Sequence, residues 1–482
     1  MIPRALLPLL LALCIARMWV MPLGSSFWVD EAETAFVVHH GAHHPSLAVI
    51  APAIESVYYW LPRTSEAIFG FSEAAERLPS LLALALALFF VWLLAARLIH
   101  PDAAWFAVFA CLTLRLFNYE AADARPYALG TCVAAASLWL LIRWLDSGRW
   151  LYGILFLAAG SLLWRVHLVY WPFYFVYPIY FFSRPDRKSS WLQVGTISAA
   201  LVLALLPVAN SALAIHRDAA VHVFAPLPTW SELGETFKIR LVGACGIAAW
   251  ILSRWRRWRL DSKAVGSSIA LIAAWWLVQP IGLFAYSHVS GVSAFTPRYV
   301  SIALPGTALM ATAAAACFIP KSIWKPAAML MGFAALVFGG QWTKLWPAHH
   351  NSDWRGASRA VDAAVRNSST PVLVISPFVE AKPPIWNPGY SLPGYLYSHV
   401  DVYPVSGKPV LLPYGESPAG TEYASALARE SLPYSGRFLI YGPAADVARW
   451  REWFAARPPF AQWLNRQLGP FLDVDVVLFE PR

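Results

Sequence analysis

Charge is what this sequence has least of. Asp, Glu, Lys and Arg make up only 13% of it, hydrophobic residues make up 58%, and the mean hydropathy is +0.50. A soluble chain carries about 25% charged residues. The three or so soluble domains that 482 residues would suggest are therefore excluded. Cysteine is scarce as well. Cys14, Cys111, Cys132, Cys245 and Cys317 stand far apart in apolar stretches, which rules out a disulfide framework or a cysteine metal site. No small-residue cleavage pattern precedes Asp30, so the N-terminal leucine-rich run reads as a retained first span. No inverted repeat of the transporter kind is visible either.

What the sequence does have is long apolar runs. A bilayer core needs about 20 apolar residues per helix. By that ruler spans fall near 5–22, 78–98, 102–118, 127–145, 150–166, 168–182, 190–210, 239–253, 264–286, 298–319 and 323–340. The expected fold is thus mainly α, a polytopic membrane protein of about eleven helices. The pair 150–166 and 168–182 could equally be one broken helix, because Arg165, His167 and Pro172 interrupt it. Many of the 25 Trp and 19 Tyr flank these runs, as an interfacial aromatic belt would.

The net charge of +9 does not point to nucleic acid. Its densest run, Arg254-Trp255-Arg256-Arg257-Trp258-Arg259, sits between two spans and reads as a positive-inside signal. Arg97, Arg143, Arg149, Arg184, Arg187, Lys188, Lys321 and Lys325 fall in connections on that same inner side. The loops 23–77 and 211–238 and the tail 341–482 are then expected outside. The tail changes character, with strand-like 372–376, 437–442 and 474–479, a helix opening at Ser352–Arg355 and another near 444–456. Strands alternating with helices suggest a C-terminal soluble α/β domain. The Pro-, Gly- and Tyr-rich stretch 382–415 reads as loop. Two domains are expected: 1–340 in the membrane and 341–482 outside it.

The outer side carries the chemistry-bearing residues. Asp30, Glu31 and Glu33 lie just past the first span. A carboxylate there can serve as general base towards a hydroxyl. The cluster could also hold a divalent cation, Mg or Mn, although the residues alone do not call for one. Alternatively Asp30 is an N-cap, with Glu33 reaching back to it. Glu55, Tyr58, Arg125, Tyr127, His167, Arg298 and Tyr299 fall on the same side. Arg125 precedes Pro126 at a helix start, where free N–H groups and a guanidinium suit a phosphate; an ion pair with Asp123 or Glu120 is the alternative. His167 taken alone reads as a satisfied buried histidine. The shared side is the stronger signal.

Asp30-Glu31-Ala32, Phe69-Gly70 with Ser72-Glu73 and Arg77-Leu78-Pro79-Ser80, Ala124-Arg125-Pro126-Tyr127, and Pro297-Arg298-Tyr299 follow one another in order. This set resembles the GT-C membrane glycosyltransferases, in the branch that joins protein O-mannosyltransferases with the aminoarabinose and galacturonic acid transferases of lipid A and core. Asp353-Trp354-Arg355 is similar to bacterial members as well. The resemblance implies inverting transfer from a polyprenyl-phosphate sugar to a lipid, glycan or protein acceptor, at the outer face of a bacterial cytoplasmic membrane. Asp30 would be the catalytic base and Glu31 would shape the sugar or acceptor pocket. Arg125, Tyr127 and Arg298 would hold the lipid phosphate. His167 falls where relatives carry a polar residue. One departure stands out: where relatives have a basic residue and Pro-Pro before an aromatic pair, this chain has Ile54-Glu55-Ser56-Val57-Tyr58-Tyr59. A flippase of lipid-linked sugars and an inactive scaffold are the competing expectations.

Overall fold

The computed structural model describes residues 5–49, 56–222, 225–258, 266–381 and 386–482. Its chain forms two compact units, and neither is one continuous stretch.

The first unit contains residues 1–23, 55–65 and 77–347 and is a bundle of apolar helices. Seven described helices are long and apolar enough to cross a membrane: Leu6–Gly24, Glu73–Leu98, Tyr127–Ser147, Trp191–Ala214, Ser268–Ser290, Pro297–Ala316 and Lys321–Gly339. The bent pair Trp230–Thr236 and Ile239–Arg256 makes an eighth if it is one span. The chain is a multi-pass membrane protein. The sequence suggested about eleven spans. The difference lies in three shorter apolar helices, Pro101–Leu112, Trp150–Val166 and Leu168–Phe182. The first two stop for a local reason. Beyond Leu112 the Asn118 Nδ2 donates to the Leu112 carbonyl at 2.7 Å, and the following helix starts only at Arg115. At His167 the backbone becomes extended, with φ −158° and ψ 130°. Arg17 lies in the first span yet finds partners. Its guanidinium donates to the carbonyls of Gly340, Lys344 and Leu345, at 2.6–2.7 Å, where the last helix runs out of intrahelical donors.

The second unit contains residues 24–54, 66–76 and 348–482. Its centre is a five-stranded sheet in the order β2-β1-β3-β5-β4, with β1 Pro371–Ile375, β2 Lys408–Leu412, β3 Phe438–Pro443, β4 Leu464–Gln467 and β5 Val474–Glu480. β1 runs parallel to β2 and β3, and β5 runs antiparallel to β3 and β4. The helices Pro418–Glu430 and Ala444–Ala455 put Ala424, Trp450 and Phe454 into a core shared with Leu373, Ile440 and Phe479. The α/β character read from the sequence is present. β2, however, lies inside the stretch read as loop. It is an edge strand, and Pro409 is tolerated there because an edge position can do without its N–H.

Two pieces of the first outer loop, 24–54 and 66–76, belong to this second unit, while 55–65 belongs to the first. The helix Val29–His40 packs on the short helix Ser398–Val402, and the His40 imidazole meets the Asp401 carboxylate at 2.9 Å. The helix Trp60–Phe69 ends at Gly70, whose φ of +77° needs a residue without Cβ. Ser72 then caps the next helix through the Ala75 amide. Glu73, opening that helix, accepts from Arg355 Nη1 and from the Tyr403 hydroxyl, each at 2.9 Å.

Candidate active site

Within the membrane unit, three helix starts and one helix break are drawn together. Ser56 Oγ donates to the Val166 carbonyl at 2.6 Å and accepts from the Tyr58 amide. The buried Tyr58 hydroxyl lies 3.1 Å from Ser80 Oγ, which in turn reaches the Arg125 carbonyl at 3.4 Å. The segment 56–59, the Arg77–Ser80 stretch and the Arg125–Tyr127 corner are thereby tied to the residue that precedes His167. Arg77, fully buried, donates to the Leu23 carbonyl at 2.8 Å and holds the end of the first span.

The functional side chains sit on this frame. Pro126 caps the helix Tyr127–Ser147 and so places Tyr127 in its first turn. Tyr127 stacks on His167, with ring centres 5.6 Å apart and planes within 28°. Tyr299, set by Pro297 at the start of its helix, lies 5.2 Å from His167 and 6.2 Å from Tyr127. The Arg298 guanidinium sits 5.7 Å from the Tyr299 ring centre. Gln279 Nε2 donates to the Val169 and Tyr299 carbonyls, at 2.9 and 3.1 Å, clamping the two sides of the cluster. Gly130 makes room for it: a Cβ there would come within 2.3 Å of the Tyr170 ring, which packs on His167.

The electrostatics follow from this crowding. Burial, then Arg125 and Arg298, lower the His167 pKa to about 3, so the imidazole is neutral at physiological pH. Its Nδ1 accepts from the Val169 amide at 3.3 Å, which leaves Nε2 as the donor nitrogen of the ring. Glu120 is pushed well above the ordinary carboxylate range by burial and by Asp123, against the Ser301 hydroxyl and Arg298. Arg125, His167, Arg298 and Tyr299 are only half-buried, while Tyr58, Tyr127 and Glu120 behind them are buried. The result is two guanidiniums and a neutral imidazole presented from an aromatic wall, a surface suited to a phosphate.

Within the second unit, Asp30 and Glu31 occupy the first turn of the helix Val29–His40. Trp28 is the N-cap, and Glu31 accepts from its amide at 3.3 Å. The capping alternative raised for Asp30 and Glu33 is thus corrected by two residues, to Trp28 and Glu31: Glu31 does that work and is fully buried, while Asp30 and Glu33 stay half-buried. Both act electrostatically on Glu380, whose pKa is raised by burial first and then by Glu33 and Asp30. Glu55 lies outside the described residues.

Of the residues singled out from the sequence, Tyr58, Arg125, Tyr127, His167, Arg298 and Tyr299 come together, and Asp30 and Glu31 share one helical turn. Arg165 does not join them: its Nη2 donates to the Ala204 carbonyl at 2.6 Å. Gln279, Tyr170 and Glu380 were not foreseen, and Glu120 was raised only as an ion-pair partner for Arg125. Gln279 had a signal, an amide alone in an apolar span. Glu380 had none.

A bundle of apolar helices with a phosphate-suited corner, carried with a small α/β unit, defines a GT-C fold, and the resemblance drawn from the sequence stands. Residues 53–212 match the family described as dolichyl-phosphate-mannose-protein mannosyltransferase. Among solved structures the chain is similar to ArnT from Cupriavidus metallidurans. Its apo form is 14% identical, with TM-score 0.56 over 98% of this chain and 97% of that one. The form bound to undecaprenyl phosphate is 13% identical, with TM-score 0.55 over the same shares. No curated protein sequence matches significantly.

Proposed function

We propose that this protein is a glycosyltransferase that moves a sugar from a polyprenyl-phosphate carrier to a lipid, glycan or protein acceptor, with inversion, at the outer face of the bacterial cytoplasmic membrane. The observation that carries the reading is the cluster of Arg125, Tyr127, His167, Arg298 and Tyr299 in the membrane unit. A lipid-linked donor keeps its phosphate at headgroup level, so the cations that receive it belong on a membrane unit. The family match and the likeness to an ArnT structure holding undecaprenyl phosphate support the carrier class.

In this reading Asp30 takes the proton from the acceptor hydroxyl as that oxygen attacks the anomeric carbon. The carbon–oxygen bond to phosphate breaks in the same displacement, which inverts the centre. The bonding pair leaves on the phosphate oxygen, and Arg125, Arg298 and the His167 Nε2–H stabilise the charge that develops there. Glu31 holds the helical turn that carries Asp30, and Tyr58 supports Arg125 through Ser80.

The test is mass spectrometry of cell-envelope glycans and glycolipids from strains with the gene, without it, and with Asp30→Asn. The proposal expects a sugar modification that vanishes on deletion and is not restored by Asp30→Asn, although the variant accumulates in the membrane. Full restoration by Asp30→Asn would refute the assigned base. Movement of a lipid-linked sugar across vesicles by the purified chain, with no glycan altered, would favour a flippase instead.

A further inference from the structure

A second candidate site runs along the same helices, from Trp164 and Trp171 on either side of His167 to a basic end at the opposite side of the bundle. The membrane unit contains an apolar cavity of ≈ 570 Å³, walled chiefly by Trp144, Trp164, Phe181, Trp191 and Leu201. Its volume falls within the roughly 300–1,000 Å³ of small-molecule sites. The hydroxyls along it are already used: Tyr174 donates to the Gly160 carbonyl and Tyr177 to Ser137. At one end the Phe181 and Trp191 rings, 5.5 Å apart, carry the Arg187 guanidinium, which sits 4.4 and 4.3 Å from their centres.

The neighbouring Arg184 is neutralised by Asp146 at 3.0 Å and Asp186 at 2.7 Å. Arg187 meets no carboxylate among the described residues; its one hydrogen bond there goes to the Arg184 carbonyl at 3.4 Å. Lys188 follows it, exposed, and its amide is fixed to the Leu145 carbonyl at 2.8 Å, close to the exposed Arg149. An apolar slot that ends under an unmatched, ring-supported guanidinium is the negative of an anionic amphiphile.

We infer that this slot binds an anionic phospholipid, with an acyl chain against the aromatic wall and the phosphate on Arg187, and with Lys188 and Arg149 at the rim. Its headgroup end is not the donor's. Trp144 follows Tyr127 by 17 residues of one helix, about 26 Å at 1.5 Å per residue. The two phosphate positions are therefore about a bilayer core apart. The bias of basic connections assigns the Arg187 end to the inner leaflet, whose anionic lipids attract such residues. The inference is independent of the proposed transfer reaction.

The experiment uses the full chain in mild detergent, with native mass spectrometry of lipids retained from an equimolar mixture of phosphatidylglycerol and phosphatidylcholine. The wild type should retain phosphatidylglycerol preferentially. Arg187→Gln should cut that preference by about fivefold, the equivalent of roughly 1 kcal/mol for one basic residue near an anionic surface, and Arg187→Lys should restore most of it. Ser198→Trp, which fills the slot from the helix Trp191–His222, should abolish retention of both lipids. Arg187 is half-buried in a loop, and equal purification yields of Arg187→Gln, Arg187→Lys and wild type check that both variants fold. An unchanged preference in Arg187→Gln overturns the inference. So does displacement of the retained lipid by one equivalent of added undecaprenyl phosphate, which would make the slot a place for the donor's tail.

Discussion

Replacing Arg355 by Ala should loosen the second unit where its three chain segments meet. Arg355 Nη1 pairs with Glu73 at 2.9 Å, Nη2 donates to the Gly24 carbonyl at 2.9 Å, and its amide donates to Ser26 Oγ at 3.2 Å. The substitution removes the first two contacts and keeps the third. A hydrogen bond to a charged group contributes about 1.5–3 kcal/mol, and an exposed ion pair at most about 1. With the Arg355 side chain 35% exposed and Glu73 15% exposed, the pair falls between those limits. Taking about 1.5 kcal/mol for it and about 1 for the carbonyl contact gives a loss of roughly 2.5 kcal/mol. For a unit of this size that lowers its unfolding temperature by about 5–10 °C. The assay is thermal unfolding of the purified full chain, with Arg359→Ala as an exposed control that should change stability by less than about 0.5 kcal/mol. Because Gly24 and Ser26 lead directly into the helix that carries Asp30, transfer activity should fall with the unfolding temperature. An Arg355→Ala protein as stable as wild type, or an Arg359→Ala protein equally destabilised, would refute the assignment of Arg355 as the joint.

Arg298→Ala should reduce sugar transfer by about 10²–10³-fold if the guanidinium meets charge that develops on the leaving phosphate; Arg298→Lys should recover only part of it, since an ammonium lacks the planar fork. Steady-state rates at saturating donor check this, and a loss confined to KM would oppose it. Glu380→Gln tests the carboxylate cluster. Because the folded Glu380 holds its proton more tightly than the unfolded one, wild-type stability should fall as pH rises from the ordinary carboxylate value of about 4.3 through the raised one. The variant should thus unfold at higher temperature than wild type near neutral pH and at the same temperature below the ordinary value; a pH-independent difference would contradict the sign. Gly130→Ala, which drives a methyl into Tyr170, should cost about 1–3 kcal/mol and lower undecaprenyl phosphate binding, measured by native mass spectrometry; unaltered stability and binding would show that the ring has room to move.

The parts legible in the sequence were those with a local signal. Long apolar runs gave most of the helices, and Pro126 and Pro297 marked helix starts beside Arg125 and Arg298. Buried strands such as Pro371–Ile375 declared themselves by continuous apolar character. Long-range pairings had no such signal. Nothing near Glu73 in the sequence points to Arg355 or Tyr403, each more than 280 residues away. Without that pairing the pieces 24–54 and 66–76 of the first outer loop could not be assigned to the same unit as the tail. β4, Leu464–Gln467, escaped notice because an exposed edge strand needs little apolar character.

The motif residues divide by exposure, and that division bears on function. Ser56, Tyr58, Arg77, Ser80 and Gly70 hold the frame: they cap, turn or clamp segments, and Tyr58, Arg77 and Ser80 are buried. Arg125, His167, Arg298 and Tyr299 keep open surface and carry the charge or the ring that the proposed donor phosphate would meet. The chain departs from its relatives' pattern before Tyr58, where it has neither the basic residue nor the Pro-Pro pair. Tyr58 is held in place by Ser56 and Ser80. A donor phosphate would then rest on Arg125 and Arg298 alone among the arginines of the cluster. The Arg298→Ala loss should accordingly stand at the upper end of the range for a single charge-stabilising donor, about 10³-fold.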